Sequence, residues 1–126
     1  MKLNKDLVRE ILLAIEESKN DPKEGINLVL KNRSSREISY HVLLLTEAGF
    51  ILSRDAFPTH STSNWQPTRL TYTGHEFLET VRDGEVWALT KTGVEKVGSG
   101  SLSLILEVGK VYGKQVLKDR LGIDLS

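Results

Sequence analysis

The fold is decided by the stretch Ile38-Ser39-Tyr40-His41-Val42-Leu43-Leu44-Leu45-Thr46-Glu47-Ala48-Gly49-Phe50-Ile51. Ile38, His41, Val42, Leu45 and Ala48 recur at helical spacing and make one inner stripe. Just upstream, Ser34 and Glu37 form a Ser-x-x-Glu pair, in which the serine hydroxyl accepts the first free amides of a helix. Gly49 is suited to the left-handed conformation that commonly closes one. A helix over 34–48 is predicted, followed at once by a strand, Phe50-Ile51-Leu52-Ser53-Arg54.

A second stretch completes the pattern: Arg69-Leu70-Thr71-Tyr72-Thr73-Gly74-His75-Glu76-Phe77-Leu78. Thr68 to Tyr72 reads as a returning strand with Leu70 packed on the core. Gly74 allows a tight start to the next helix, which runs through Phe77, Leu78 and Val81. Residues 55–66, holding Pro58, His60, Asn64 and Trp65 and followed by Pro67, are polar and turn-rich. The two strands and this connection read as a hairpin with a long tip.

The flanks are helical apart from one short segment. Leu7, Ile11, Leu12, Ala14 and Ile15 mark an amphipathic helix over 4–18, with Asn4 as its cap and Asn20-Asp21-Pro22 as its stop. Ile26-Asn27-Leu28-Val29-Leu30 reads as a short strand. A helix is expected over 83–97 with Trp87 in the core, then a Gly98-Ser99-Gly100 joint and a last helix over 101–121.

The two stretches in this order resemble the recognition helix and wing of winged-helix transcription regulators. The first matches a His-hydrophobic pair leading into Leu-x-x-x-Gly-hydrophobic-Ile, and the second matches Leu-Thr-x-x-Gly-x-x-Phe-Leu. The resemblance covers residues 4–82. It implies an α+β fold, a winged helix-turn-helix with a β-hairpin wing and additional C-terminal helices. The chain as a whole resembles a narrower bacterial and phage family, domain of unknown function 2513. The matching residues are Asp6 to Leu12, Tyr40-His41, Gly74 to Leu78, Val81-Arg82-Asp83 and Val86-Trp87. That resemblance implies a winged-helix-like fold and supplies no activity. One domain over 1–126 is expected, with a core over 4–82 and a helical extension over 83–126.

Composition bounds the function. A chain of 126 residues with 39% hydrophobic and 27% charged residues can bury a core unaided. With no cysteine there is no disulfide framework or thiol nucleophile. No signal-peptide core and no apolar run of the ~20 residues needed to span a bilayer is visible, so a cytoplasmic location is expected. Seventeen basic and 17 acidic residues give a net charge of +0, which provides no overall field to steer the chain to DNA.

Two functions remain. The first is a DNA-binding or transcription-regulatory module, prophage-associated, with double-stranded DNA as partner. The resemblance places Ser35, Arg36, Ser39 and Tyr40 outward on a helix that would read the major groove. Arg33, Arg54 and Arg69 would hold phosphates, and His60 and Asn64 at the wing tip would reach the minor groove. The alternative is a protein-interaction module. It is favoured by Leu43, an apolar residue on the outward face, and by the absence of lysine and arginine from the wing segment between Ala56 and Gln66. Trp65 either tucks against the hairpin or is a contact residue. The last helix either mediates a homodimer or packs on its own domain. Catalysis, cofactor and metal are not expected. His41 lies on the inner stripe, and His75-Glu76 lacks the second histidine of a His-Glu-x-x-His site because Glu79 stands there.

Overall fold

A computed structural model describes residues 1–56, 64–98 and 101–122. The described residues form an α+β structure of five helices and one two-stranded antiparallel hairpin. In chain order these are α1 (Lys5–Glu17), α2 (Ser35–Glu47), β1 (Ile51–Asp55), β2 (Trp65–Leu70), α3 (Tyr72–Val81), α4 (Gly84–Val97) and α5 (Leu102–Leu121). Two compact units are distinguished, Met1–His75 and Glu76–Ser126, and the boundary falls within α3.

In the first unit, α1 and α2 pack on each other, α1 packs on β2, and α2 packs on both strands. Both helices are capped as their sequences predict. Asn4 Oδ1 accepts the Leu7 N–H at 3.1 Å, and Ser34 Oγ accepts the Glu37 N–H at 3.1 Å. Gly49 follows α2 with φ 82, the left-handed conformation expected of it. The core is built from Leu7, Val8, Ile11 and Leu12 of α1, Val42 and Leu45 of α2, and Ile51 and Leu70 of the hairpin. Ala48, placed on the inner stripe by its spacing, is exposed, because α2 ends just before it. Thr46 Oγ1 donates to Val42 O at 2.7 Å and meets Ser53 Oγ at 2.6 Å, tying the end of α2 to β1.

Two expectations change. Residues 26–30 do not form a strand. Ile26 N–H donates to Pro67 O at 2.8 Å, so the segment does approach β2. Pro67 has no N–H to return the bond, and a ladder cannot propagate past it. The returning strand also starts earlier than its composition suggests, at Trp65, and Tyr72 opens α3 instead of ending β2. The register pairs Ile51 with Leu70 and Asp55 with Trp65, with an irregularity between Leu52 and Ser53. The hairpin tip at 57–63, with His60, lies outside the described residues.

In the second unit α4 packs on α5. Val86, Trp87 and Val94 of α4 and Ile105 and Val116 of α5 are buried. Asp83 caps α4, accepting the N–H groups of Glu85 at 2.9 Å and Val86 at 3.1 Å. The same carboxylate receives two bonds from the Arg120 guanidinium, at 2.7 and 3.2 Å, and Arg120 also reaches Glu85 at 3.0 Å. The Arg120 bonds, helped by the Val86 N–H, lower the Asp83 pKa from 3.8 to about 2. Asp83 and Glu85 in turn raise that of Arg120.

The sign of the resulting pH dependence follows from linkage. A depressed carboxylate pKa contributes stability above its ordinary value and loses it as pH falls through the folded value. The clamp is therefore at full strength above pH 3.8 and dissolves between there and about 2. Replacing Arg120 by Gln is expected to flatten the fall in melting temperature across that window, with a small loss at neutral pH because the pair is exposed and screened. Thermal melts of both proteins against pH test this. Equal slopes in the window would remove the clamp from the account.

Candidate functional site

The helical spacing of α2 puts Arg36, Tyr40 and Leu43 on its outward side, opposite the buried Ile38, Val42 and Leu45. Beside that face lies an open groove of about 920 Å³. One wall is α2, with Ser35, Arg36, Tyr40 and Leu43. The opposite wall is the irregular segment at Ile26, Asn27 and Leu28, and Asn64, Trp65 and Gln66 close the hairpin side. All of these residues belong to the first unit.

Local bonds fix this geometry. Ser39 sits at the bottom of the groove, only 8% exposed, and its hydroxyl accepts the Trp65 N–H at 2.9 Å. That bond ties the first residue of β2 to α2 and leaves the Trp65 side chain half-buried along the groove. Asn64 is held by the hairpin base. Its N–H donates to Asp55 Oδ1 at 3.0 Å, and its carbonyl accepts the Ala56 N–H at 2.8 Å. Tyr40, at the rim, meets the His41 ring edge-on, with centroids 5.9 Å apart.

The residues singled out for DNA and those singled out for protein contact thus share one surface. Ser35, Arg36, Ser39, Tyr40 and Asn64 line the same groove as Leu43 and Trp65. Ser39 is bound to main chain within it. The remaining arginines do not line it. Arg33 is directed at Glu10 of α1, with Nε 3.0 Å from Oε2 and its side chain 19% exposed. Arg69 turns its guanidinium onto the Leu70 carbonyl at 2.9 Å. Arg54 is exposed on β1, opposite Gln66 in the register. His60 lies outside the described residues. Arg36 is consequently the one charged side chain in the groove lining.

Of the two described histidines, His41 is held through its ring nitrogens. His41 is fully buried, its Nε2 accepts the Asn4 N–H at 2.9 Å, and its Nδ1 lies 2.9 Å from Glu37 O. His75 is exposed on α3, and its main-chain N–H bonds Thr71 O. Glu79, at the position where a zinc helix would carry its second histidine, pairs with Arg82 at 3.0 Å. Among the described residues no group of three His, Cys, Asp or Glu side chains could hold a metal ion. No helix among them is long and apolar enough to cross a membrane.

Sequence reasoning did not find the wall at Ile26, Asn27 and Leu28 as part of a site. Its alternation of apolar residues was a usable signal, but it pointed to a strand, and a strand would have been paired. Gln66 carried no signal of its own. It enters the groove because β2 begins at Trp65.

A family model described as "Hypothetical protein (DUF2513)" matches residues 2–101. An uncharacterised protein of Haemophilus influenzae is 31% identical over 121 residues, covering 96% of this chain and 99% of its own length. No solved structure matches the chain. Given the extent of the family match and the near full-length relative, the chain belongs to the DUF2513 family.

Proposed function

We propose that the chain is a protein-interaction module of winged-helix-like architecture, which engages a partner protein through the outward face of α2 and the groove beside it. The observation that supports this best is the character of the groove. It combines Tyr40, Leu43 and Trp65 with a single charged side chain, Arg36. Partly exposed aromatic side chains suit protein contacts. The order helix, helix, hairpin, helix supports a winged-helix-like reading, and on that reading the outward face of α2 is the recognition face.

A DNA-binding reading has one specific observation in its favour, the exposed Ser35 and Arg36 in the first turn of α2. Against it, Arg33 and Arg69 are directed at Glu10 and at the Leu70 carbonyl, and the net charge is +0. Affinity for duplex DNA depends on neutralised phosphates.

The two readings are separated by placing a photo-cross-linking amino acid at position 43, or at position 54 on the hairpin, in the native cell. We expect position 43 to trap a discrete protein and position 54 to trap none. In parallel, random-sequence duplex DNA is titrated by fluorescence anisotropy. Micromolar binding that weakens steeply with salt, with no cross-linked protein at 43, would replace the interaction reading with the regulator reading.

A further inference from the structure

The groove has an unusual wall. Among the described residues, the main-chain N–H and C=O groups of Asn27, Leu28 and Val29 take part in no hydrogen bond. The segment is anchored at its start, where Ile26 N–H donates to Pro67 O, and at its end, where Arg33 N–H donates to Leu30 O. Between these points the backbone is held in place and left unpaired. Val29, 86% exposed, lies just past the lining residues Ile26, Asn27 and Leu28 and is one of the largest uncovered apolar surfaces on the unit.

Unpaired main chain along an apolar groove is the arrangement used in strand addition. An extended peptide lays its backbone against the open edge, and its alternate side chains enter the groove. The opposite wall supplies the apolar contacts, with Tyr40 and Leu43 from α2 and Trp65 from β2. The charge of the lining is one-sided, because Arg36 has no acidic counterpart within it. A segment carrying one carboxylate complements it, and a basic segment does not.

We infer that the groove binds an extended segment of a partner protein, with apolar side chains among Tyr40, Leu43 and Trp65, a single Asp or Glu at Arg36, and its main chain paired with Asn27 to Val29. This rests on the interaction reading above and specifies its partner. Duplex DNA is a poorer occupant, since it would meet one arginine and a run of main chain that offers it no charge.

The test is selection of a random peptide display library on the intact chain. The enriched sequences are synthesised and titrated against wild type, Arg36→Glu, Leu43→Asp and Tyr40→Ala. Each variant is first checked for an unchanged circular dichroism spectrum, and Tyr40→Ala, a rim change, serves if Leu43→Asp does not fold. We expect enriched peptides to combine large apolar residues with one acidic residue. Arg36→Glu should weaken them at least ~10-fold, and peptides with Lys in place of the acid should recover that loss. Amide exchange at Asn27, Leu28 and Val29 should slow on peptide binding.

Peptides that bind, are lost in Leu43→Asp or Tyr40→Ala, and ignore Arg36→Glu would overturn the acidic occupant while leaving the interaction reading standing. Unchanged exchange at Asn27 to Val29 would overturn the strand pairing. A chain that selects no peptide and traps no protein at position 43 overturns both proposals.

Discussion

Replacing Gly74 by alanine is expected to destabilise the chain by about 3 kcal/mol, roughly a 10 °C fall in melting temperature for a chain of this size. In most helices the same change is favourable, because glycine costs about 1 kcal/mol relative to alanine. The sign reverses here because of what the missing side chain leaves room for. A Cβ at Gly74 would overlap the Phe50 carbonyl oxygen and lie 2.9 Å from its carbon and 3.3 Å from the Phe50 Cα. These are backbone atoms and cannot swing aside as a flexible side chain can. The same carbonyl accepts the Thr71 N–H at 3.0 Å, and Thr71 Oγ1 donates to Gly49 O at 2.6 Å while accepting the Gly74 N–H at 3.1 Å. Thr71 thus joins the start of the hairpin to the start of α3, and a methyl group at Gly74 pushes the two apart. Gly113 is the internal control. It lies inside α5 with nothing within 4 Å of an added Cβ, so Gly113→Ala should raise stability by up to about 1 kcal/mol. Denaturant melts of the two variants should move in opposite directions. A Gly74→Ala protein as stable as wild type would mean that α3 and the hairpin do not approach this closely.

That junction was partly legible in the sequence. Although the Phe50 carbonyl that excludes a side chain at Gly74 comes from a distant part of the chain, the Leu70-Thr71-x-x-Gly74 spacing indicated a tight turn into a helix, because Thr71 caps the Gly74 amide locally. Caps were legible for the same reason. Asn4 and Ser34 act within three residues of themselves, and their short polar side chains have few other roles in such positions. The inner stripe of α2 followed from periodicity, as did the burial of Leu70 and Trp87. What could not be read depended on partners distant in the chain. The absence of a strand at 26–30 is set by Pro67 on the neighbouring strand, since Ile26 to Leu30 is itself a sound strand sequence. Ser39 was read as an outward contact from its place in α2, and its hydroxyl instead holds the Trp65 amide across 26 residues. Asp83 and Arg120, 37 residues apart, meet only once α4 and α5 have packed.

The site shows the same division. Its helical half, Arg36, Tyr40 and Leu43, was legible because helix geometry assigns a face to every residue. Its other half is irregular main chain, and unpaired backbone leaves no mark on side-chain pattern. Ser35, Arg36, Ser39, Tyr40 and Asn64 from the DNA candidates therefore share one groove with Leu43 and Trp65, while Arg33, Arg54 and Arg69 stay outside it, and the charge of that groove is what favours the proposed interaction reading. Arg36 alone is a poor footprint for a phosphate backbone and an adequate one for a single carboxylate.

The bonds of His41 give it a definite place in the fold. Asn4 N–H can only donate, so Nε2 accepts and the ring proton sits on Nδ1, where it is donated to Glu37 O. The imidazole thereby pins the cap residue of α1 to the middle of α2, in a site with no exposure at all. His41→Ala is expected to cost about 4 kcal/mol, from the cavity and from an Asn4 amide left without a partner. His41→Leu restores most of the volume and leaves the same amide orphaned, so its cost should be smaller, about 2 kcal/mol. The gap between the two variants measures packing, and the residual loss in the leucine variant measures the hydrogen bond. Two further observations discriminate. Nitrogen NMR of the wild type should show an unprotonated Nε2 and a protonated Nδ1. Hydrogen exchange in the leucine variant should accelerate first at Asn4, Leu7 and Val8, where the start of α1 has lost its anchor. A leucine variant as stable as wild type, with α1 protected as before, would show that His41 fills space without holding the two helices together.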